Sequence, residues 1–456
     1  MIGYFSIDNR LEIKMNQGKN YNFQVPRLGE ATIPSPIKMS TTLGDRLANY
    51  VTDDEYILYD VDVSLSERTR CFEEAELLEK AGPREKIYFN PGHVHAAIVT
   101  CGGLCPGLND VIRSIVRSLW HLYGIRRITG IRYGYRGFLP EYSIPTMPLD
   151  PDIVDDIHYK GGTILGSSRG GGKPKEIADA IERMNINILF TIGGDGTQTG
   201  ALAVAEELEN RGTRAAIIGI PKTIDNDLSF IQKSFGFETA VSIAVDAVTS
   251  AHTEAHDAIN GIGLVKVMGR ESGFIAAYTA IAQNDVNFVL VPEIPFDLTG
   301  KNGLYTHLRT RLEDRGHAVI VVAEGAGQEL LEKSNAKDPS GNKKLSDIGH
   351  YLETRIPRLF KKDNIDVTLK YIDPSYMIRS APAHPNDAIY CSRLGTHAVH
   401  AAMSGRTKTL ISLVNNKFVH LPISMAVSTR NYIDPESAVW RDVLEVTRQP
   451  VTMINE

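Results

Sequence analysis

Short, mostly apolar runs recur along most of this chain, and each run ends in a turn rich in glycine or charge. Residues 95–100 (HAAIVT) and 186–191 (INILFT) have the length and apolar character of buried parallel strands. After each run, apolar residues return at helical spacing, over 108–119 and 198–210. Because strand, turn and helix alternate in this way, the pattern predicts an α/β fold with helices on the faces of parallel sheets.

The alternation continues beyond residue 320, whereas residues 1–92 lack it. We predict a long helix over 236–251 and further strands over 128–133, 214–220, 261–267, 287–291 and 318–322. The first 92 residues are polar, with scattered prolines and an acidic segment, 67–81, that we expect to be helical. Since this stretch has no glycine loop suited to chemistry, we interpret 1–92 as an N-terminal extension that packs on the main body or on a neighbouring subunit.

The composition narrows the class of protein. With 456 residues, 42% hydrophobic and 23% charged, the chain resembles ordinary globular proteins of about two or three domains. A formal net charge of -6 argues against a general nucleic-acid binder. We find no apolar run long enough to cross a bilayer and no targeting signal, so we expect a cytoplasmic protein without a membrane partner. Four cysteines are too few for a disulfide framework, and we interpret Cys101 and Cys105 as reduced thiols.

The most informative turn is GGDGTQ, residues 193–198, which lies between a predicted strand and a predicted helix. Backbone N–H groups and a helix N-terminus converge at such a turn and favour a bound phosphate, and Asp195 adds an oxygen ligand for Mg²⁺. The alternative is a purely structural turn. Two other turns suit a phosphate: 101–107 (CGGLCPG), and the glycine-rich stretch 161–172, whose cation is Arg169 and whose alternative is a surface hairpin.

A second kind of turn carries acids. Residues 221–227 (PKTIDND) follow a predicted strand and place Asp225 and Asp227 beside Lys222 and Thr223, an arrangement typical of a general base with its supports. Solvated loop acids are the alternative for either carboxylate alone. Further on, residues 371–379 bring an aromatic hydroxyl and Arg379 close together, which suits a sugar phosphate, with core packing as the competing interpretation.

Taken in order, GGDGTQ, PKTIDND, MGR (268–270), AEG (323–325) and YMIR (376–379) resemble the motifs of the 6-phosphofructokinase family. With the CGG turn ahead of them they extend from Gly102 to Arg379. The chain is most similar to the long, ATP-dependent branch that carries an N-terminal extension. A lone GGDG also occurs in lipid and NAD kinases, but such a kinase would leave TIDND, MGR and YMIR unexplained.

The resemblance implies two Rossmann-like, three-layer α/β domains with the active site in the cleft between them. The ATP-binding domain would comprise 93–236, completed by about 378–428, and the fructose 6-phosphate domain 237–377, completed by about 429–456. It also implies transfer of phosphate from Mg-ATP to the 1-hydroxyl of fructose 6-phosphate, a committed step of glycolysis, by an allosteric homo-oligomer, either a tetramer or a dimer.

The resemblance assigns residues to each role. ATP would be held by Gly103, Arg169, Gly170, Gly194, Asp195, Gly196 and Thr197, with Asp195 also the Mg²⁺ ligand. Asp225 would accept the proton, with Thr223 and Arg270 as further catalytic residues. The sugar phosphate would contact Thr223, Ile224, Asp225, Met268, Gly269, Arg270, Glu324, Tyr376, Met377, Ile378 and Arg379. Arg113 and Arg117 match a family effector helix, but only as a pair of cations.

Several positions depart from the family's short bacterial members. Those members have His in place of Tyr376 and Arg in place of Gly261, so Lys370 is a candidate to help hold the sugar phosphate. Gly196 leaves room for ATP where pyrophosphate users have a second Asp, whereas Lys222 is shared with pyrophosphate users. The long ATP-dependent branch combines the two, which favours ATP and leaves pyrophosphate as the alternative. A non-catalytic sensing subunit would have signalled itself by loss of Asp195 or Asp225, and both are present.

Overall fold

The computed structural model describes residues 21–61, 74–332 and 345–455. Its strands, in chain order, are β1 (Ile33–Pro34), β2 (Tyr56–Leu58), β3 (Leu77–Glu79), β4 (Lys86–Ile87), β5 (His95–Thr100), β6 (Arg127–Ile131), β7 (Met147–Pro148), β8 (Ile188–Gly193), β9 (Ala216–Pro221), β10 (Gly261–Val267), β11 (Phe288–Leu290), β12 (His317–Ala323), β13 (Thr368–Ile372), β14 (Thr409–Val414) and β15 (Lys417–Pro422). The α-helices are α1 (Leu108–Arg117), α2 (Pro174–Arg183), α3 (Asp195–Asn210), α4 (Phe237–His256), α5 (Phe274–Gln283), α6 (Leu304–Arg315), α7 (Ile348–Lys362), α8 (Ser375–Ser380), α9 (Pro385–Met403), α10 (Ile423–Ala426) and α11 (Ala438–Thr447).

The larger sheet has seven strands in the order β15-β14-β9-β8-β5-β6-β7. The inner strands from β14 to β6 are parallel, and only the two edge strands, β15 and β7, run antiparallel to their neighbours. Residues of β5 alternate between the two faces: Ala96 and Ile98 join one apolar core, and Ala97 and Val99 join the other. Helices α1 and α9 cover the first face, and α2 and α3 cover the second, so the sheet is the middle of three layers.

The smaller sheet has four parallel strands in the order β11-β12-β10-β13. Its two faces are also both buried, since Val265 and Val267 pack with α4, α5 and α11 while Ile262 and Leu264 pack with α6 and α7. Two sheets with parallel central strands, each covered by helices on both sides, confirm the predicted α/β fold. The domain boundaries stay a prediction.

The described part of the N-terminal region packs on the larger sheet. β3 pairs with β2, and Phe23 and Leu78 are buried in the core that α2 and α3 share with that sheet. Of the expected helix over 67–81, residues 74–76 form one turn of 3-10 helix, but the helix is wrong from residue 77 on, because residues 77–79 form β3. Residues 67–73 lie outside the described residues. The strand forms because partners distant in sequence hold it: β2 pairs with β3, and the buried carboxylate of Glu79 accepts hydrogen bonds from Arg406, Arg84 and Arg27.

The main differences from the expected elements are at their ends. β8 begins and ends two residues later than expected, so that Gly193 still pairs with Pro221 of β9. Helix α3 begins at Asp195, three residues before the expected start, because Gly194 is extended and its carbonyl accepts from the N–H groups of Thr197 and Gln198. Helix α4 continues to His256, beyond the expected end at residue 251. In the described part of the chain, no helix is both long and apolar enough to span a membrane.

Candidate active site

A cleft of about 540 Å³ lies where the carboxyl ends of strands from both sheets meet. The turns that line it follow β5, β8 and β9 of the larger sheet and β10 and β12 of the smaller one. Ligands of open α/β sheets bind at this end of the strands, because the connecting turns leave a crevice there. The two sheets therefore form one shared crevice.

Most of the residues assigned from the sequence line this cleft. Asp195 and Asp225, which come from neighbouring strand ends, both face it. Twelve other assigned positions also line the cleft: Gly103, Arg169, Gly170, Gly194, Gly196, Thr197, Lys222, Thr223, Ile224, Arg270, Glu324 and Arg379. The structure thus brings together groups separated by more than two hundred residues in sequence.

Five assigned residues do not line the cleft. Met268 and Ile378 are buried, and Met268 supports the site indirectly, since the Nε–H of Arg379 donates to its Sδ over 3.2 Å. Gly269 occupies the turn after β10 with a φ of 126°. Tyr376 and Met377, on α8, are 82% and 67% exposed.

Lys370 also lies away from the cleft. It is half exposed on β13, and its Nζ is 3.8 Å from a carboxylate oxygen of Glu254 on α4. The structure does not bring this side chain to the other sugar-phosphate candidates. A contribution from Lys370 would need a different arrangement of the chain.

The glycine-rich turns are held together by hydrogen bonds. Ser167 donates its hydroxyl to the carbonyl of Gly102 over 2.6 Å, and the N–H of Gly102 donates to Ser168. Gly170, Gly171 and Gly172 all have positive φ, a conformation that side chains with a Cβ rarely adopt. The stretch 161–172 therefore packs as a loop against the turn after β5, and its backbone borders the cleft.

Lys222 is buried beneath these turns. Its Nζ donates to the carbonyl of Gly103 over 2.8 Å, and burial lowers the pKa of its ammonium group. Gly196 has a different environment: a Cβ added there would meet no atom within 4 Å. A larger side chain at position 196 would therefore project into open space at the cleft wall.

Gln198 joins the two strand ends that carry the acids. Its buried Nε2 donates to the carbonyls of Thr191 and Gly193 at the end of β8 and to Ile220 of β9, over 3.0 to 3.2 Å. Because these bonds fix β8 against β9, they also fix the spacing of the turns that hold Asp195 and Asp225.

The turn after β9 presents its two acids differently. Thr223 donates its hydroxyl to Asp227, and the N–H of Asp225 donates back to the Thr223 hydroxyl over 3.3 Å. Asn226 has a φ of 56° and accepts from the N–H of Ser234, which holds the turn in place. By contrast, Oδ1 of Asp225 is buried and has no hydrogen-bond partner among the described residues.

Burial raises the pKa of Asp225 to about 7, since a buried carboxylate loses the water that stabilises its charge. The negative charges of Asp227 and Glu324 act in the same direction. Arg379 and a backbone N–H of Arg270 oppose them. A carboxylate with an unbonded oxygen and a raised pKa can accept a proton from a bound hydroxyl group.

Asp195 lies in the first turn of α3, where the helix dipole favours negative charge. Its Oδ2 is 3.3 Å from the guanidinium of Arg430. The described residues contain no group of three or more His, Cys, Asp or Glu side chains placed to hold a metal. The Asp195 carboxylate, which lines the cleft, fits Mg²⁺, because proteins commonly bind this ion through one or two carboxylates together with substrate phosphates.

Residues 95–402 match the family model described as phosphofructokinase. The chain belongs to the phosphofructokinase family. The resemblance stated from the motifs is therefore confirmed, and in the sequence of this phosphofructokinase the match begins at β5 and ends within α9.

Curated relatives extend the match over nearly the whole chain. A protein of Borreliella burgdorferi named ATP-dependent 6-phosphofructokinase is 56% identical over 446 residues, 96% of this chain and 99% of that one. A protein of Amycolatopsis methanolica with the same name is 44% identical, over 94% of this chain and 95% of that one. The crystal structure of a pyrophosphate-dependent phosphofructokinase from Marinobacter aquaeolei has a TM-score of 0.64 and 20% identity, and covers 77% of this chain and 91% of that one. This last likeness concerns the fold.

The structure of this phosphofructokinase also places residues at the cleft that the sequence motifs did not indicate. Glu271 and Arg430 line the cleft, and Ser272 donates its hydroxyl to the backbone carbonyl of Asp225 over 3.1 Å. Glu271 and Ser272 directly follow MGR, so their position could have suggested them. Arg430 could not be found in this way, because it is 235 residues from Asp195 in sequence.

Arg113 and Arg117 lie elsewhere. They line a second cavity of about 400 Å³ beside α1 and α9, together with His121 and His158. Both guanidinium groups are within 4 Å of Asp155. Their role as an effector site stays a prediction from family resemblance.

Proposed function

We propose that this protein transfers the γ-phosphoryl group of ATP to the 1-hydroxyl of fructose 6-phosphate, giving fructose 1,6-bisphosphate and ADP. The relatives of the family named as ATP-dependent 6-phosphofructokinases support this activity. Asp225 carries the proposal, since it lines the same cleft as Asp195 and the glycine-rich turns, and its buried Oδ1 has no hydrogen-bond partner among the described residues. The products place the enzyme in glycolysis.

On the nucleotide side, the turns after β5 and β8 and the loop 161–172 would hold the phosphates. Arg169 is suited to a bidentate contact with phosphate oxygens, and Gly103 and Gly170 allow the backbone to approach closely. The N-terminus of α3 adds a partial positive charge at the same place. Asp195 would be the protein ligand of Mg²⁺, which when bound neutralises charge on the phosphates.

On the sugar side, the cleft offers Arg270 and Arg379 as cations and Glu324 as a hydrogen-bond acceptor. An arginine pair suits the 6-phosphate, and a carboxylate suits a sugar hydroxyl. Thr223 and Ile224 would contact the sugar beside the proton acceptor. Met268, Gly269 and Ile378 would act as supports behind Arg379, whereas Tyr376 and Met377 would need to turn inward to touch the substrate.

The chemistry requires positioning and charge neutralisation more than covalent assistance. Asp225 would accept the proton of the 1-hydroxyl as that oxygen attacks the γ-phosphorus. Arg270, together with Arg169, would neutralise charge that develops on the transferred group; loss of one such donor typically costs about 3 kcal/mol. Thr223 holds Asp227 and thereby leaves Asp225 available for the proton.

The donor is tested by comparing ATP with pyrophosphate in a coupled assay with fructose 6-phosphate and Mg²⁺. We expect turnover with ATP, because Gly196 leaves open space where a larger residue would crowd the nucleotide. Turnover with pyrophosphate alone would overturn the choice of donor. Binding of both substrates without turnover would instead indicate a sensing subunit.

The proposal extends to a cytoplasmic, allosteric homo-oligomer, as the family resemblance implies. Light scattering of the purified full chain would separate a tetramer or dimer from a monomer. A mass of one chain at assay concentration would contradict this part of the proposal and leave the proposed reaction intact.

A further inference from the structure

The C-terminal segment 428–433 runs beside the turn that carries the proposed proton acceptor. Arg430 and Leu228 form an antiparallel bridge, and the N–H of Asn431 donates to the carbonyl of Asp227 over 2.9 Å. One residue earlier, the hydroxyls of Thr429 and Ser229 are 2.7 Å apart. These bonds fix the backbone of the segment against residues 227–229.

The same segment is also tied to the smaller sheet. Oε1 of Glu293 accepts from the N–H of Ile433 over 2.9 Å and from the N–H of Gly273 over 3.0 Å. Because Gly273 follows the MGR turn, this carboxylate holds segment 428–433 close to Arg270 and Glu271. The backbone position of Arg430 is therefore determined from both sides of the cleft.

The guanidinium of Arg430 lies between acids of the two sides. Its Nη2 is 3.3 Å from Asp195 on the nucleotide side, and its Nη1 is 3.9 Å from Glu271 on the sugar side. Although partial burial acts to lower it, the pKa of Arg430 is raised by the charges of Asp227 and Asp195. The side chain lines the cleft, so a ligand there can reach it.

Asp195 is the carboxylate proposed to bind Mg²⁺, and a metal ion bound there would compete with the guanidinium of Arg430 for this carboxylate. A guanidinium displaced from Asp195 would stay in the cleft, where its planar fork can contact phosphate oxygens. Since its backbone is fixed and its charge is permanent, it would need only side-chain rotation to do so.

We propose that Arg430 is a phosphate-contacting residue of the transfer reaction, which Asp195 and Glu271 hold in place across the cleft until nucleotide enters. The inference rests on the proposed function. It adds a third cation, contributed by the C-terminal segment, to Arg169 and Arg270. Its contact would help most where metal does not neutralise the phosphates.

The test compares Arg430→Gln and Arg430→Lys with Arg441→Gln, a control at an exposed position of α11. We measure kcat and KM with both substrates, and the Kd of ADP by calorimetry in EDTA and again with Mg²⁺. For Arg430→Gln we expect kcat to fall at least tenfold and the Kd of metal-free ADP to rise at least fivefold, with a smaller rise for Mg-ADP. Arg430→Lys should recover part of kcat, because lysine restores the positive charge but not the planar guanidinium group that can make two hydrogen bonds to phosphate.

Two outcomes would overturn the inference. One is that kcat and both ADP affinities in Arg430→Gln match those of wild type and Arg441→Gln. The other is that ADP affinity, fructose 6-phosphate affinity and thermal midpoint all fall together in Arg430→Gln and Arg430→Lys, which would indicate a structural role. If wild type itself shows no turnover, the proposed reaction fails, while the measurements with metal-free ADP still decide whether Arg430 contacts phosphate.

Discussion

The hydroxyl of Thr223 donates a hydrogen bond to Oδ1 of Asp227 over 2.5 Å. This bond distinguishes the two acids of the TIDND turn. Asp227 is held by a neighbour, whereas Oδ1 of Asp225 is buried without a hydrogen-bond partner in the part of the chain that the structure describes. A carboxylate oxygen that already accepts a hydrogen bond is a poorer proton acceptor than one without such a bond, so the geometry favours Asp225 as the base.

We predict that Asp225→Asn lowers kcat by about 10²- to 10⁴-fold, the usual contribution of a general base. The amide keeps the shape of the carboxylate but cannot accept the proton, so the Kd of fructose 6-phosphate should change little. Asp227→Asn is the matched control, since an amide oxygen still accepts from Thr223, and its loss of kcat should be far smaller. Steady-state kinetics and calorimetry measure both. Near-normal kcat in Asp225→Asn would refute the assignment.

The pH dependence of activity follows from the raised pKa of Asp225. The base works only when ionised, so kcat/KM for fructose 6-phosphate should fall as the pH decreases through a value near neutrality rather than near pH 4. The sugar phosphate also titrates near pH 6. Asp227→Asn separates the two causes: removing that neighbouring charge lowers the pKa of Asp225 and should move the fall to lower pH. An unmoved profile in this variant would contradict our explanation.

The raised pKa of Asp225 also predicts how stability depends on pH: activity requires the ionised carboxylate, whereas the folded state is more stable with the protonated one. The unfolded Asp225 ionises at the ordinary pKa of Asp, so between that value and the raised folded value the protein loses stability as the pH rises. Asp225→Asn should therefore raise the thermal midpoint at pH 8 and leave it unchanged near pH 3. One pKa unit corresponds to about 1.4 kcal/mol, so the gain is a few kcal/mol at most. Asp257→Asn, at an exposed position, is the control, and an equal midpoint for Asp225→Asn and wild type at pH 8 would contradict the prediction.

The fold could be predicted from the sequence because buried parallel strands are continuously apolar. Apart from Lys266, the run 261–267 has this character, and it forms β10 with the expected bounds. The acidic stretch ending at 81 could not be predicted, because β3 depends on Arg406 and on β2, both distant in sequence. Local propensity carries no information about such partners.

The candidate site likewise contains residues that the sequence could locate and residues that it could not. Asp195 and Asp225 could be located because each follows a strand end, and parallel strands bring their carboxyl ends to one edge of a sheet. Arg430 could not be located, since it lies in a C-terminal segment whose place is set by hydrogen bonds to residues 227–229. Sequence motifs also assigned Tyr376 to the site, but not the outward orientation that it has here.

Gly196 provides a prediction about the phosphoryl donor. Because a Cβ at this position meets nothing within 4 Å, Gly196→Ala should keep at least half of the turnover with ATP. Gly196→Asp would add bulk and negative charge at the cleft wall, so its KM for ATP should rise at least tenfold while its KM for fructose 6-phosphate changes little. Steady-state kinetics with ATP and with pyrophosphate measures the effect. If both variants lose ATP turnover equally, the glycine is needed for backbone conformation and not for space.

Glu79 provides a prediction about the N-terminal region. Its carboxylate is 5% exposed and accepts from Arg84 and from Arg406, whose side chain is 1% exposed. Burial acts to raise the pKa of Glu79, but His420 and Arg406 beside it lower that pKa well below its ordinary value. The ionised carboxylate therefore stabilises the fold above the unfolded pKa, and this stabilisation is lost as the pH falls.

Replacing Glu79 by Gln would leave the Arg406 guanidinium buried without its counter-charge. Breaking one partner of a buried ion pair typically costs about 3–5 kcal/mol, so Glu79→Gln should unfold at a clearly lower urea concentration than wild type at pH 7. The difference should shrink in acid, where wild type loses the same charge. Glu74→Gln, at an exposed position three residues before β3, is the control and should unfold with wild type. Equal urea midpoints for Glu79→Gln and wild type at pH 7 would mean that the buried arginines are satisfied by Asp53 alone.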